Sequence, residues 1–273
     1  MPDVWEPLRS HDLTWYLGTM GYGYRDWQNG IFYPDGLAKN RQLSRYSEVF
    51  NAVEMDNTFY AIPAVDQVKR WGAQVPAGFQ FCPKTPRDIT HEGRLAQSDE
   101  LMAAFLSAMR HFEDKLGIIL IQFPPDFTRI NIDDVAGFLA KLPTDLRYAV
   151  EFRHRSWHAA VTGEMLQAHN ICWVSAEYLY MPQRIYKTTD FFYVRFLGRH
   201  GTFEHKTHEQ IDRGDRLEAW WIDIQQRAEG INTVYTFFNN DYSGHSPTTC
   251  NRFKSLVGLP TVPTVPSRQQ RLL

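Results

Sequence analysis

No apolar run in this chain approaches the length that a bilayer demands. The longest, Leu116 to Phe123, is about eight residues, against the roughly 20 of a spanning helix. A membrane partner is therefore not expected. The opening segment, Met1 to Asp12, is mixed and polar, without a charged stretch, an apolar stretch and a small-residue cleavage site in succession. The cytoplasm is the expected compartment. Cysteine is scarce: Cys82, Cys172 and Cys250 are odd in number, far apart and never in a CxxC pair, which fits neither a disulfide framework nor a zinc ribbon and leaves buried thiols. An excess of one charge is also missing. Lys and Arg number 29 and Asp and Glu 31, for a net charge of −2, whereas a sequence-independent nucleic-acid binder is usually basic. Nucleic acid is a partner the sequence does not favour. The glycines of Gly18-Thr-Met-Gly-Tyr-Gly23 follow GxxGxG rather than GxGxxG, and no Walker A lysine comes after them. A nucleotide cofactor is disfavoured, and no other cofactor is implied.

What is present is enough apolar material for a core, 43% of 273 residues, arranged as short runs. Eight recur: Trp15 to Thr19, Ala52 to Thr58, Phe79 to Lys84, Gly117 to Phe123, Tyr148 to Arg153, Ile171 to Glu177, Phe191 to Gly198 and Thr233 to Asn240. Each is short and rich in β-branched or aromatic residues, as buried parallel strands are. Helical periodicity fills the gaps. Apolar residues at 101, 102, 105, 106 and 109 predict a helix over Ser98 to Met109 with Ser98 as its cap, and Leu217, Trp220, Trp221, Ile224 and Ala228 predict another over Arg216 to Ala228. Val65 to Gln74 and Asn131 to Lys141 read similarly. Eight strands alternating with helices predict an α/β fold, a single (β/α)8 TIM-type barrel over residues 15–258. A lead-in, 1–14, and an extended tail, 259–273, punctuated by Pro260, Pro263 and Pro266, would flank it.

The strand ends carry unusual words: Gly18-Thr19, Tyr24-Arg-Asp-Trp27 with Phe32-Tyr-Pro34, Val53-Glu-Met-Asp-Asn-Thr-Phe-Tyr60, Phe79-Gln-Phe-Cys-Pro-Lys84, Gln122-Phe-Pro-Pro125, Val150-Glu-Phe-Arg153 with Ser156-Trp157, Val194-Arg195 and Phe238-Asn-Asn-Asp241. In this order they closely resemble the YecE-like family, a bacterial domain family of unknown function, over about residues 15 to 258. The resemblance implies a TIM-type barrel with a polar site at its C-terminal mouth and no settled activity. A likeness of that family to barrel nucleases brings in nucleic-acid processing as an alternative. Two departures bear on the ligand: Asp56-Asn57 stands where the family usually has Asn-Ser, and the sixth run ends in Glu177 where Asp is commoner.

Side chains alternate along a strand, so Glu54, Asp56 and Thr58 share one face, as do Glu151 and Arg153. The flanking Val53, Met55, Val150 and Phe152 suit packing against helices, which turns the charged set inward. That set comprises Glu54, Asp56, Lys84, Gln122, Glu151, Arg153, Arg195 and Asn239 or Asn240, all near strand C-termini, where barrel enzymes keep their sites. Glu54, Glu151 and Lys84 are the candidate catalytic groups. The others named would hold a polar, anionic small molecule, phosphate- or carboxylate-bearing, sugar derivatives included. Buried charges cost several kcal/mol each unless paired or liganded, so a purely structural ion-pair network is the competing account. A hydrolase, lyase or isomerase and a non-catalytic ligand-binding protein both fit. Lys84 admits a Schiff base, although a salt-bridge or phosphate-anchoring role is the simpler expectation with carboxylates nearby. The Asn239-Asn240-Asp241 amides would orient a ligand or cap the next helix. Tyr22, Tyr24, Trp27, Phe32 and Tyr33 after the first run would form a stacking wall, or a hydrophobic mini-core under a long loop, and Trp157 after the fifth poses the same choice; Tyr60 is a further candidate for substrate binding. His154 and His158 lack a zincin glutamate, and His205 with His208 sits in a polar loop, so no metal is expected.

Overall fold

Short β-branched runs separated by amphipathic stretches become strands and helices in turn. The computed structural model describes residues 4–93, 95 and 98–264; residues 1–3 of the expected lead-in and 265–273 of the expected tail lie outside these. The strands are β1 (Leu8–Ser10), β2 (Leu13–Thr19), β3 (Ala52–Met55), β4 (Gln80–Pro83), β5 (Ile119–Gln122), β6 (Tyr148–Glu151), β7 (Cys172–Trp173), β8 (Ser175–Glu177), β9 (Phe191–Phe196) and β10 (Thr233–Phe238). The helices are α1 (Gln42–Tyr46), α2 (Val65–Gly72), α3 (Asp99–Met109), α4 (Ile132–Leu139), α5 (Ala160–Ala168), α6 (Gly214–Arg227), α7 (Asn240–Ser243) and α8 (Ser246–Leu256). The fold is mixed α/β. The helices predicted from periodicity appear as α2, α3, α4 and α6, each within two or three residues of its expected ends. Among the described residues, no helix is long and apolar enough to cross a membrane.

Three ladders organise the strands. One sheet has the order β1–β2–β10–β9–β8, with β1 antiparallel to β2 and the remaining pairs parallel; β3 pairs with β4, and β5–β6–β7 form the third, all parallel. Isolated parallel bridges link Met20 to Glu54, Phe81 to Leu116 and Lys84 to Leu120. Asn51 stitches β2 to the start of β3 with its amide, accepting from Leu17 N at 2.9 Å and donating to the Trp15 carbonyl at 2.8 Å.

Three sequence expectations are revised. The lead-in contributes a strand, β1. The sixth run is divided at Val174, which still donates its N–H to the Val150 carbonyl at 2.9 Å. The second run stops at Met55, because Asn57–Phe59 turn into a short 3-10 helix; Asp56 and Thr58 therefore stand beyond the strand rather than alternating along it.

The two strand faces fall into two clusters. Val53, Met55, Val150, Phe152 and Val194 belong to the large core shared with the helices. Ala52, Cys82, Leu120, Ala149, Tyr193 and Phe237 form a second, smaller core. The three cysteines are free and buried. Gly18 is required where β2 meets β3: a Cβ there would lie 1.9 Å from the Ala52 carbonyl oxygen and 2.5 Å from the Tyr46 hydroxyl. Backbone cannot yield as a side chain does. Gly18→Ala is expected to lower the unfolding free energy, measured by urea titration, by about 3 kcal/mol or more, the upper end of overpacking costs.

Candidate functional site

On the face occupied by the smaller core, each of four strands steps from an apolar to a polar residue toward its C-terminus: Ala52 to Glu54, Leu120 to Gln122, Ala149 to Glu151 and Tyr193 to Arg195. The period of two places the polar residues together. Arg195 is at their centre and is buried. Its Nε and Nη2 donate to the two oxygens of Glu54 at 2.9 and 2.6 Å, its Nη1 donates to Glu151 Oε2, and Nη2 also lies 3.5 Å from Met20 Sδ. Tyr193, two residues earlier on the same face, donates its hydroxyl to Glu54 Oε2 at 2.8 Å. Arg153 Nε donates to Glu151 Oε1 at 2.6 Å.

The two carboxylates are driven in opposite directions. Burial pushes the Glu54 carboxyl up, and neighbouring Asp56 adds to this against the pull of Arg195. Glu151 is as deeply buried, but Arg195 and Arg153 together outweigh burial and hold it at about 2. Burial works against the Arg195 charge, yet the two carboxylates keep it firmly protonated. A buried carboxylate that lacks its donors is costly, so this bidentate, hydroxyl-supported geometry is what makes the cluster tolerable.

Lys84 is different. It follows β4, is 8% exposed, and holds its Nζ 3.8 Å from the centroid of the Phe59 ring. Among the described residues Nζ has no hydrogen bond and no ion pair. Burial lowers its pKa to about 8, with Arg195 and Arg153 pressing the same way and Asp56 and Glu151 opposing. His91 meets Phe59 edge-on at 4.9 Å and faces Gln122, 3.3 Å between Nε2 atoms. Burial, helped by Lys84 and Arg153, holds His91 at about 4, so it is neutral at ordinary pH. The terminal nitrogens of Arg153 make no hydrogen bond among the described residues, and its guanidinium lies 4.9 Å from the Tyr178 ring. Beside it opens a cavity of ≈ 320 Å³ lined by Pro125, Arg153, His154, Arg155, Tyr178, Leu179, Tyr180 and Met181. Asp56 is half-buried, and Tyr60, 72% exposed, stands at the surface.

Other candidates are placed in the scaffold. Trp27 and Trp157 are fully buried and offer no face to a ligand; Trp157 stacks on Phe152 at 4.0 Å and donates to the Phe127 carbonyl. Tyr24 is half-buried, tilted against Trp27, and donates to the Met20 carbonyl. Asn239 caps α7 by accepting from Asp241 N at 2.8 Å. Asn240 Oδ1 accepts from Trp27 Nε1 at 3.2 Å and from the amide and hydroxyl of Ser246, at 3.0 and 2.8 Å. Glu177, flagged as a departure that bears on the ligand, turns instead to the helices, accepting from Arg216, Trp220 and Tyr242. Sequence reasoning missed Tyr193 and Phe59, although Tyr193 was accessible from its two-residue spacing to Arg195. Among the described residues, no group of three or more His, Cys, Asp or Glu side chains is arranged to hold a metal ion.

Replacing Arg195 leaves two buried carboxylates short of their donors. Arg195→Met is expected to lose about 3–5 kcal/mol of stability near neutral pH. The deficit narrows on acidification. In the natural chain the Glu151 contribution is complete above its unfolded value near 4.5 and fades as pH falls toward 2, whereas in the variant both carboxyls gain by protonation. Chemical denaturation across this window is the measurement.

Comparison with known proteins adds kinship to this geometry. Residues 16–271 match the family described as "Protein of unknown function DUF72". The chain is 35% identical over 117 residues to the UPF0759 protein YecE of Escherichia coli, 43% of each sequence, and 31% identical over 150 residues to the UPF0759 protein YunF of Bacillus subtilis, 52% of this chain and 51% of that one. The aligned stretches thus span about half the length of these curated relatives, or less. Among solved structures, a DUF72 family protein from Thermotoga maritima superposes with a TM-score of 0.77 at 29% identity, covering 89% of this chain and 98% of its own. One from Enterococcus faecalis gives 0.75 at 20% identity, covering 93% and 99%, a likeness of fold alone. With the family match running through almost all of its length, the chain belongs to the DUF72 family, the YecE-like group to which its strand-end motifs point.

Proposed function

We propose that this protein is an enzyme that binds a polar, anionic small molecule, phosphate- or carboxylate-bearing and including sugar derivatives, and acts on it by carboxylate general acid–base chemistry. The observation that carries the reading is two cations left without full partners: Lys84 Nζ, buried over Phe59, and the terminal nitrogens of Arg153, which lines an open cavity. A group with two oxygens and negative charge satisfies both. Behind it, Glu54 and Glu151 are pushed apart in acidity, the division that acid–base work requires. Gln122, Asp56 and the exposed Tyr60 would complete the ligand's surroundings. Arg195, with Nε, Nη1 and Nη2 each donating to a carboxylate, acts in this reading by positioning Glu54 and Glu151 rather than by gripping the ligand.

We infer as well that the strands close into one eight-stranded (β/α)8 barrel over residues 15–258. The Met20–Glu54 bridge joins β2 to β3, the Phe81–Leu116 and Lys84–Leu120 bridges join β4 to β5, and Val174 connects β7 to β8. With the three ladders, these links support a ring. The site then lies at the C-terminal mouth, as in other barrels, with the lead-in adding β1 to the wall and residues 259–264 following the last helix.

The test is the response to inorganic phosphate. Phosphate is expected to raise the melting temperature of the full-length protein, and Lys84→Met and Arg153→Ala to abolish that rise. The response should fade as pH passes about 8, where Lys84 loses its proton. No phosphate-dependent shift, or one unchanged in both variants, would sink the reading. Without ligand, Lys84→Met should be the more stable protein near pH 7. A lysine whose folded pKa lies below its unfolded value costs stability while charged, by up to about 3 kcal/mol here, and the cost is relieved as pH rises from about 8 to 10.5.

A further inference from the structure

We infer that Lys84 Nζ condenses with the carbonyl carbon of a small 2-oxo acid or aldehyde acid, forming an imine at the mouth of the strands. The inference rests on the anion-binding reading above and names its substrate class. A lysine at a strand end in a site with three acids is expected to form an ion pair. Here the amine has no carboxylate within ion-pair distance among the described residues. Its surroundings are instead those of a placed nucleophile. The main chain is fixed on both sides, Lys84 N donating to the Met55 carbonyl at 3.2 Å and its own carbonyl accepting from Thr58 Oγ1 at 2.7 Å. The ring of Phe59 lies under Nζ at 3.8 Å, and Phe59 is itself met by His91.

Arg153 is anchored at Nε by Glu151, its terminal nitrogens make no hydrogen bond among the described residues, and it lines the open cavity. Close enough to press electrostatically on Lys84, Arg153 would hold the carboxylate while the adjacent carbonyl meets the amine. Burial and the two guanidiniums bring Lys84 to about 8, so roughly a tenth is free amine at pH 7. The neutral amine adds to the carbonyl carbon: a C–N bond forms and the C=O π pair moves to oxygen, which is protonated. The C–O bond then breaks. The oxygen leaves as water, carrying one proton from the amine and one from the medium, and the nitrogen lone pair closes the C=N bond of a protonated imine.

Reductive trapping tests this. Full-length protein is treated with glyoxylate and sodium cyanoborohydride, which delivers hydride to the iminium carbon, and the modified lysines are mapped by mass spectrometry. One carboxymethyl group per chain is expected, on Lys84, appearing about ten-fold faster than on any other lysine and absent from Lys84→Arg protein whose circular dichroism is unchanged. Propanal serves as an uncharged probe. Faster trapping of glyoxylate than of propanal, with the preference removed by Arg153→Ala, supports both the imine and the anion site. Equal trapping of both aldehydes at Lys84, indifferent to Arg153→Ala, supports the imine while removing the anion reading. Glyoxylate spread evenly over surface lysines overturns the imine; if phosphate still raises the melting temperature through Lys84, the anion site survives that result.

Discussion

A guanidinium removed from water has to be answered by buried carboxylates, and the strand ends of this protein are arranged around that demand. Arg195 belongs to β9, Glu54 to β3 and Glu151 to β6, so its bonds connect the five-, two- and three-stranded sheets at one point. The isolated bridges joining these sheets are few. The ion-pair cluster supplies a second, side-chain connection at the level where backbone pairing thins out. Its cost in desolvation is substantial, and the bidentate contact, the Tyr193 hydroxyl and Arg153 are what offset it. Directional bonds also fix where the carboxylates point, which apolar layers would not do.

Around that centre the site divides by solvent access. The inner part, Glu54, Arg195 and Glu151, is closed and internally bonded. In the outer part, Arg153 borders an open cavity, His91 and Asp56 are half-buried, and Lys84 is buried without an ion pair among the described residues. Chemistry at such a mouth would draw on both. The inner part pushes the two carboxyls in opposite directions of acidity.

Much of this was legible in the sequence because a strand's period of two is strict. Val53 and Val150 on one face force Glu54 and Glu151 onto the other, and the two observed cores follow that partition. The α/β alternation was equally plain from the spacing of Leu217, Trp220, Trp221 and Ile224. What the period does not carry is where pairing stops. Asp56 and Arg153 continue the alternation on paper, but both lie past the last paired residue, so their side chains answer to turn geometry. Of the two readings of the loop aromatics, the mini-core holds for Trp27 and Trp157: each finds a hydrogen-bond acceptor and a wall of rings inside. Glu177 misled for a related reason. A strand-end acid can turn toward either face, and the indole and phenol donors of Trp220 and Tyr242 lie on the helix side.

The arithmetic of the charged set bears on whether stability alone explains it. Three acids face three bases. A cluster built only to hold strands together would pair them off. Glu54 and Glu151 take Arg195 and Arg153, which leaves Asp56 and Lys84, opposite in sign, at the ends of adjacent strands β3 and β4. They sense one another electrostatically but share no ion pair among the described residues. Lys84 instead rests over Phe59, where a cation–π contact of about 1–2 kcal/mol only partly replaces hydration. A buried ammonium without a carboxylate is a standing cost that a hydrophobic side chain of similar length would remove. Stability gives no reason to keep it there.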